Sequence, residues 1–172
     1  LDPGEPYAAI FANSGAEAVE AALKHAELAR VFRLGALVAE LAAHAGQAAE
    51  ALAAGSATLS AEAAELAGPA EIAERVSAHN AAALASPPVF VALEGGFHGK
   101  LVGSLQLTHN PGFRLPFQGL GAHGRFVAAD RVEDVVRELE AEQPYALDLV
   151  LTSGVVNLVR RPVPVVAGFL VE

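Results

Sequence analysis

Two short stretches hold the residues whose types and spacing could do chemistry. The first is Asn13-Ser14-Gly15-Ala16-Glu17-Ala18-Val19-Glu20-Ala21-Ala22-Leu23-Lys24. Ser14 reads as an N-cap with Glu17 three residues on, a capping-box spacing that satisfies two orphan backbone amides. Val19, Ala22, Leu23 and Ala26 then fall on one helical face, and Glu20 and Lys24 form an i,i+4 pair on another. Gly15 at the first helical position is a poor helix former, worth about 1 kcal/mol less than alanine in a helix interior. It makes sense where a ligand approaches the backbone closely. A helix start with free amides, a positive dipole end and a serine hydroxyl suits a phosphate. Taken alone, the stretch also reads as nothing more than a well-capped core helix.

The second stretch is Glu94-Gly95-Gly96-Phe97-His98-Gly99-Lys100. It follows the apolar run 89–93, which reads as a buried strand, and so stands at a strand's carboxyl end, where open α/β sheets bind ligands. Three glycines allow a sharp turn, and Phe97 offers an aromatic face that could fix a flat heteroaromatic ring. The plainer reading is a glycine-rich turn with a packed aromatic. A nucleotide-binding P-loop is excluded, because the glycine spacing is one residue short and Leu101 stands where that loop needs Ser or Thr.

In this order the two stretches resemble the Asn-Ser-Gly-(Thr/Ala)-Glu-Ala and Gly-(Phe/Tyr)-His-Gly-(Arg/Lys) motifs of class III aminotransferases, enzymes of fold type I that depend on pyridoxal 5′-phosphate. The resemblance implies that Ser14, Gly15 and Ala16 hold the cofactor phosphate, that Phe97 stacks on the pyridine ring, and that His98 lies beside it. The run 163–172 resembles the family segment ending in Val-Glu-Pro, which would put Glu172 near the cofactor. The implied fold is α/β: part of a fold-type-I large domain, an incomplete sheet flanked by helices. The implied reaction moves an amino group from a donor amine or amino acid to an oxo acid or aldehyde, in a homodimer when complete. The family's Schiff-base lysine has no counterpart, since the chain's lysines are Lys24 and Lys100. This segment alone is therefore expected to be inactive, with no catalytic residue of its own. The alternative is a non-catalytic, aminotransferase-like scaffold or interaction domain.

Composition narrows the partners. A net charge of -9 and a pI near 5.1 argue against nucleic-acid binding, and Arg160-Arg161 is too small a basic cluster to change that. The chain has no cysteine, which removes disulfides and thiolate metal sites, and its histidines lack metal-ligand spacing. The lack of cysteine makes a cytoplasmic protein the simplest expectation, and neither a membrane span nor a signal peptide is visible. With no methionine anywhere and Leu1 first, the chain reads as part of a longer reading frame or a processed product.

The elements that must position these residues follow from local pattern. The apolar run 7–11 reads as a brief buried strand or extended segment leading into a helix from Gly15 to about Ala54, with Gly35 and Gly46 as candidate breaks and Gly55 as the stop. A second helical block spans 60–84, divided at Gly68-Pro69, with Pro69 suited to open a new helix and Glu71 to its first turn. The alanine-rich stretch 33–86 departs from the family pattern and reads as an inserted surface helical hairpin, or as a docking surface. Further on come a short helix over 101–107, a turn at 108–112, a loop over 113–124, a strand at 125–128, and a helix capped by Asp130 that ends before Pro144. A hairpin about Thr152-Ser153-Gly154 reads as a second insertion, and 163–172 as the next strand.

Overall fold

The computed structural model describes residues 4, 6–121 and 123–171. The chain is mixed α/β, with small sheets flanked by helices, and divides into two compact units. The first gathers Leu1–Leu28, Pro88–Val135 and Val166–Glu172, and the second Ala29–Pro87 and Val136–Val165. Helix α1 (Gly15–Ala53) contributes to both. Gly35 and Gly46 do not break it, because its alanine-rich flanks have the highest helix propensity. It stops at Gly55, whose φ of 67° is favourable only without a Cβ. There the Gly55 amide donates to Leu52 O and the Ser56 amide to Ala51 O, closing a Schellman cap.

In the first unit, β2 (Val89–Leu93) is the central strand of a parallel sheet ordered β3-β2-β6, with β3 (His123–Val127) and β6 (Val166–Leu170) on its two sides. Phe90, Val91 and Ala92 are buried, as expected for a strand covered on both faces. Leu23 of α1, Phe90, Ala92 and Leu107 form the core cluster. Leu107 closes α4 (Val102–Leu107), and α5 (Pro111–Arg114) and a 3-10 turn (Leu115–Leu120) fill most of the stretch expected to be loop. Asn110 caps α5 by accepting from the Gly112 amide.

Two local expectations fail here. The run 7–11 forms no strand and is not buried: Tyr7, Ile10 and Phe11 are exposed, Phe11 at 94%. Its apolar pattern finds no sheet edge among the described residues. Asp130 sits in a 3-10 turn (Ala129–Arg131) rather than at a helix cap, and α6 (Val132–Ala141) begins beyond it, with Arg131 Nε donating to Asp134.

The second unit is built on a hairpin of β4 (Tyr145–Thr152) and β5 (Val155–Pro162), extended by β1 (Thr58–Leu59), which runs parallel to β5. Ser153 and Gly154 turn the hairpin with φ of 52° and 77°, the paired positive angles of a type I′ turn. Ser60 caps α2 (Ala61–Leu66) by accepting from the Ala63 amide. Helix α3 (Ile72–Leu84) starts three residues after Pro69, because Gly68 O first accepts from both Glu71 and Ile72 and holds Pro69 in a turn. Ala48, Ile72, Val76, Leu147, Leu149 and Val156 share one core, and Leu37, Leu41, Ala146, Val163 and Val165 another. The alanine-rich stretch and the hairpin, read separately as insertions, thus pack together rather than decorating the surface.

Polar groups complete that packing. Asn80 donates to Leu147 O and accepts from the Leu147 amide, at 2.8 and 2.7 Å, pairing with the edge of β4 as a strand would. Asp148, fully buried in β4, meets His44 Nδ1 at 2.9 Å and accepts from Arg161 Nη1 at 2.9 Å. Arg161 forks onto both carboxylate oxygens of Glu40 at 3.1 and 2.8 Å. A buried carboxylate is tolerable only when paired in this way. The hydrogen bond from Arg161 holds the Glu40 carboxyl below its ordinary value of 4.5, and the pairing with Glu40 raises the guanidinium pKa in turn.

Arg161→Met is expected to lower stability by about 3 kcal/mol in urea denaturation, because it strips a buried carboxylate of its cation. Glu40→Gln should cost far less, since its carboxylate is solvated. Glu40 has a depressed folded pKa, so its contribution is present above pH 4.5 and fades as pH falls through the folded value. The Glu40→Gln variant should therefore lose less stability than the parent on acidification below pH 4.5. Equal acid sensitivity of the two would refute the pairing.

Candidate functional site

The strand order places β3 on one side of β2 and the later β6 on the other, so the chain reverses direction across the sheet at β2. The carboxyl end of such a strand is a topological switch point, the common ligand crevice of open α/β sheets. The segment 94–100 leaves β2 there. Gly95 turns the chain at φ 87°, and the Gly96 amide donates to Leu93 O. Gly96 O accepts from the His109 amide. Thr108, buried, accepts from the His98 amide at 3.0 Å and donates to Gly99 O at 2.9 Å, which fixes the loop from beneath.

The start of α1 supplies the other half. Ser14 Oγ accepts from the Glu17 amide at 3.3 Å, and Ser14 O from the Ala18 amide. The Glu17 carboxylate reaches the Asn13 amide at 2.8 Å instead of the Ser14 amide, a capping box displaced by one residue. The Gly15 and Ala16 amides are left without partners among the described residues. Ser14 and Gly15 are exposed and Ala16 half-buried.

These two stretches, some eighty residues apart in sequence, touch. Gly99 has φ 119°, and a Cβ built there would lie 2.5 Å from Ala16 Cβ and 3.0 Å from Ala16 Cα. Only glycine permits this approach. A second tie runs beside it: the Glu20 carboxylate accepts from the Gly103 and Ser104 amides at 2.7 and 2.8 Å, capping α4. Glu20 therefore serves α4 and forms no ion pair with Lys24, against the i,i+4 expectation.

Of the residues singled out in the sequence, Ser14, Gly15, Ala16, Phe97 and His98 all belong to this first unit, and the Gly99–Ala16 contact joins the two stretches that carry them. Phe97 is half-exposed at 48%, with its ring edge-on to Phe113 at 6.3 Å. His98 is buried, and its Nε2 has no hydrogen-bond partner among the described residues, with the bare Cα of Gly96 alongside. An orphaned buried polar atom costs about 1–3 kcal/mol and calls for a partner. Lys100 projects over the Phe113 ring at 4.1 Å. Glu172 lies outside the described residues. No group of histidine or acidic residues among the described ones could hold a metal ion.

Sequence reasoning missed two contributors. Glu20 and Thr108 act through backbone amides and carbonyls distant in sequence, which no local spacing reveals. Asp148 did leave a signal, a charge in the apolar strand Leu147-Asp148-Leu149, which demands a buried partner. Its partners lie in the second unit with it, apart from the two motifs.

Gly99→Ala is expected to destabilise the chain by about 2 kcal/mol or more, from left-handed strain and the clash with Ala16. Thermal melts followed by circular dichroism would measure it, and a neutral substitution would show that the close approach is dispensable. No protein-family model matches the chain, and no curated protein matches it in sequence.

Proposed function

We propose that the first unit is the phosphate- and ring-binding part of a class III aminotransferase, holding pyridoxal 5′-phosphate where the start of α1 meets the loop after β2. The observation that carries this reading is the contact of Gly99 with Ala16, which draws together the two motifs that resemble that family. The residues present fit the cofactor's two ends. Two unpaired amides, Gly15 and Ala16, and the Ser14 hydroxyl suit a phosphate at a helix start. Phe97 supplies a half-exposed aromatic ring beside them, and the unsatisfied His98 Nε2 suits a polar neighbour.

Bound there, pyridoxal phosphate would supply an electron sink for the carbon bearing the transferred amino group. The chain's own residues bind and orient. Ser14, Gly15 and Ala16 neutralise the phosphate through hydrogen bonds and the helix dipole. Phe97 fixes the plane of the ring by dispersion and quadrupole contact. Thr108 holds the loop that carries Phe97 and His98. Neither Lys24 nor Lys100 stands at the family's Schiff-base position, so the 172 residues bind the cofactor without completing transamination.

Titration with pyridoxamine 5′-phosphate, which has no aldehyde to react with lysines, tests the site by its fluorescence. Phe97→Ala and Ser14→Ala are each expected to weaken binding about tenfold, from loss of ring contact and of a charge-assisted hydrogen bond. Circular dichroism checks that both variants fold. Absence of binding by the parent chain, or unchanged affinity in Phe97→Ala, would overturn the assignment.

A further inference from the structure

Beside the loop after β2, the first unit holds a cleft of about 260 Å³ lined by Lys100, Val102, Leu105, Gln106, Phe117 and Leu120. Four of these six side chains are apolar. The Gln106 amide is already committed, donating to Phe117 O at 2.9 Å. Lys100 supplies the positive charge. Its ammonium is steadied over the Phe113 ring at 4.1 Å, and no carboxylate among the described residues pairs with it. In a chain of net charge -9, an unpaired cation at the wall of an apolar cleft is a selective feature.

We propose that this cleft binds a monocarboxylate with an aliphatic tail, the tail against Val102, Leu105, Phe117 and Leu120 and the carboxylate on Lys100. Burial of the tail supplies most of the affinity, and the single cation selects the charge of the head group. A phosphate fits less well, because the wall offers neither a second cation nor a hydroxyl. The ammonium can meet a carboxylate while still resting on Phe113, since a cation over a ring keeps its outward N–H groups free. None of the six lining residues is among those assigned to pyridoxal phosphate, so the two sites are independent.

The test is calorimetric titration of the 172-residue chain with octanoate, octanol and octylamine, no cofactor being added. Octanoate should bind about fivefold more tightly than octanol, the scale of a partly exposed charge pair, with octylamine weakest. Lys100→Met should erase the preference for octanoate while leaving octanol affinity as it was, and Lys100→Arg should keep the preference. Leu120→Asp, at an exposed position on the rim, should weaken octanoate more than octanol. No octanoate binding by the parent chain, equal affinity for octanoate and octanol, or a preference that survives Lys100→Met would each overturn the proposal. Octanoate binding without pyridoxamine phosphate binding would leave this site standing and remove the cofactor site, and the reverse outcome would do the opposite.

Discussion

The approach of Gly99 to Ala16 is the constraint on which the arrangement of the first unit's two motif stretches depends. At this point two backbones come closer than any side chain allows, with φ at 119° and a would-be Cβ at 2.5 Å from its neighbour. Several weaker contacts hold it in place. Thr108 ties the loop to the end of α4 through two hydrogen bonds, and Glu20 ties α1 to the start of the same helix through two more. Leu23, packed with Phe90 and Leu107, supplies the apolar burial beneath. The loop's residues are thereby held in one arrangement that its three glycines alone would not select.

The second unit meets a different difficulty. Alanine-rich helices remove little apolar area from water per residue, so its cores are small and polar contacts carry more of the specificity. Asn80 pairs with the backbone of Leu147, and Asp148 draws His44 and Arg161 onto β4. Because an unpaired carboxylate at that depth is so unfavourable, any register of the hairpin that moved Asp148 away from Arg161 would be rejected. Charge here does for strand register what side-chain volume does in a larger core.

Much of the local structure was legible in the sequence. Ser60, Gly55, Pro144 and the Ser153-Gly154 turn mark ends of elements through backbone preferences that tertiary contacts did not override. The run 7–11 reads as a buried strand and is exposed instead, because an apolar run says that a segment can pair without saying that an edge is there to receive it. Asp130 and Pro69 each read as a helix start, and in both cases a tighter turn intervenes. Of the site, the residue types were legible and their meeting was not. Gly99 read as a turn residue, whereas its conformation answers to Ala16, and no one-dimensional pattern encodes that contact. The pairing of Glu20 with α4 was hidden by a more obvious local partner, Lys24.

The interleaving of the two units also sets an order in time. Each is assembled from separated stretches of chain, and each needs a strand from near residue 160 or beyond: β5 pairs with β1 almost a hundred residues earlier, and β6 with β2 across a gap that contains all of β4 and β5. Contacts so distant in sequence carry a large loop-closure entropy and slow folding. As the chain emerges from a ribosome, neither sheet can close until its last strand appears. Until then α1 stands as a long alanine-rich helix with its apolar faces uncovered, which makes this chain more dependent on late, cooperative closure than its short elements suggest.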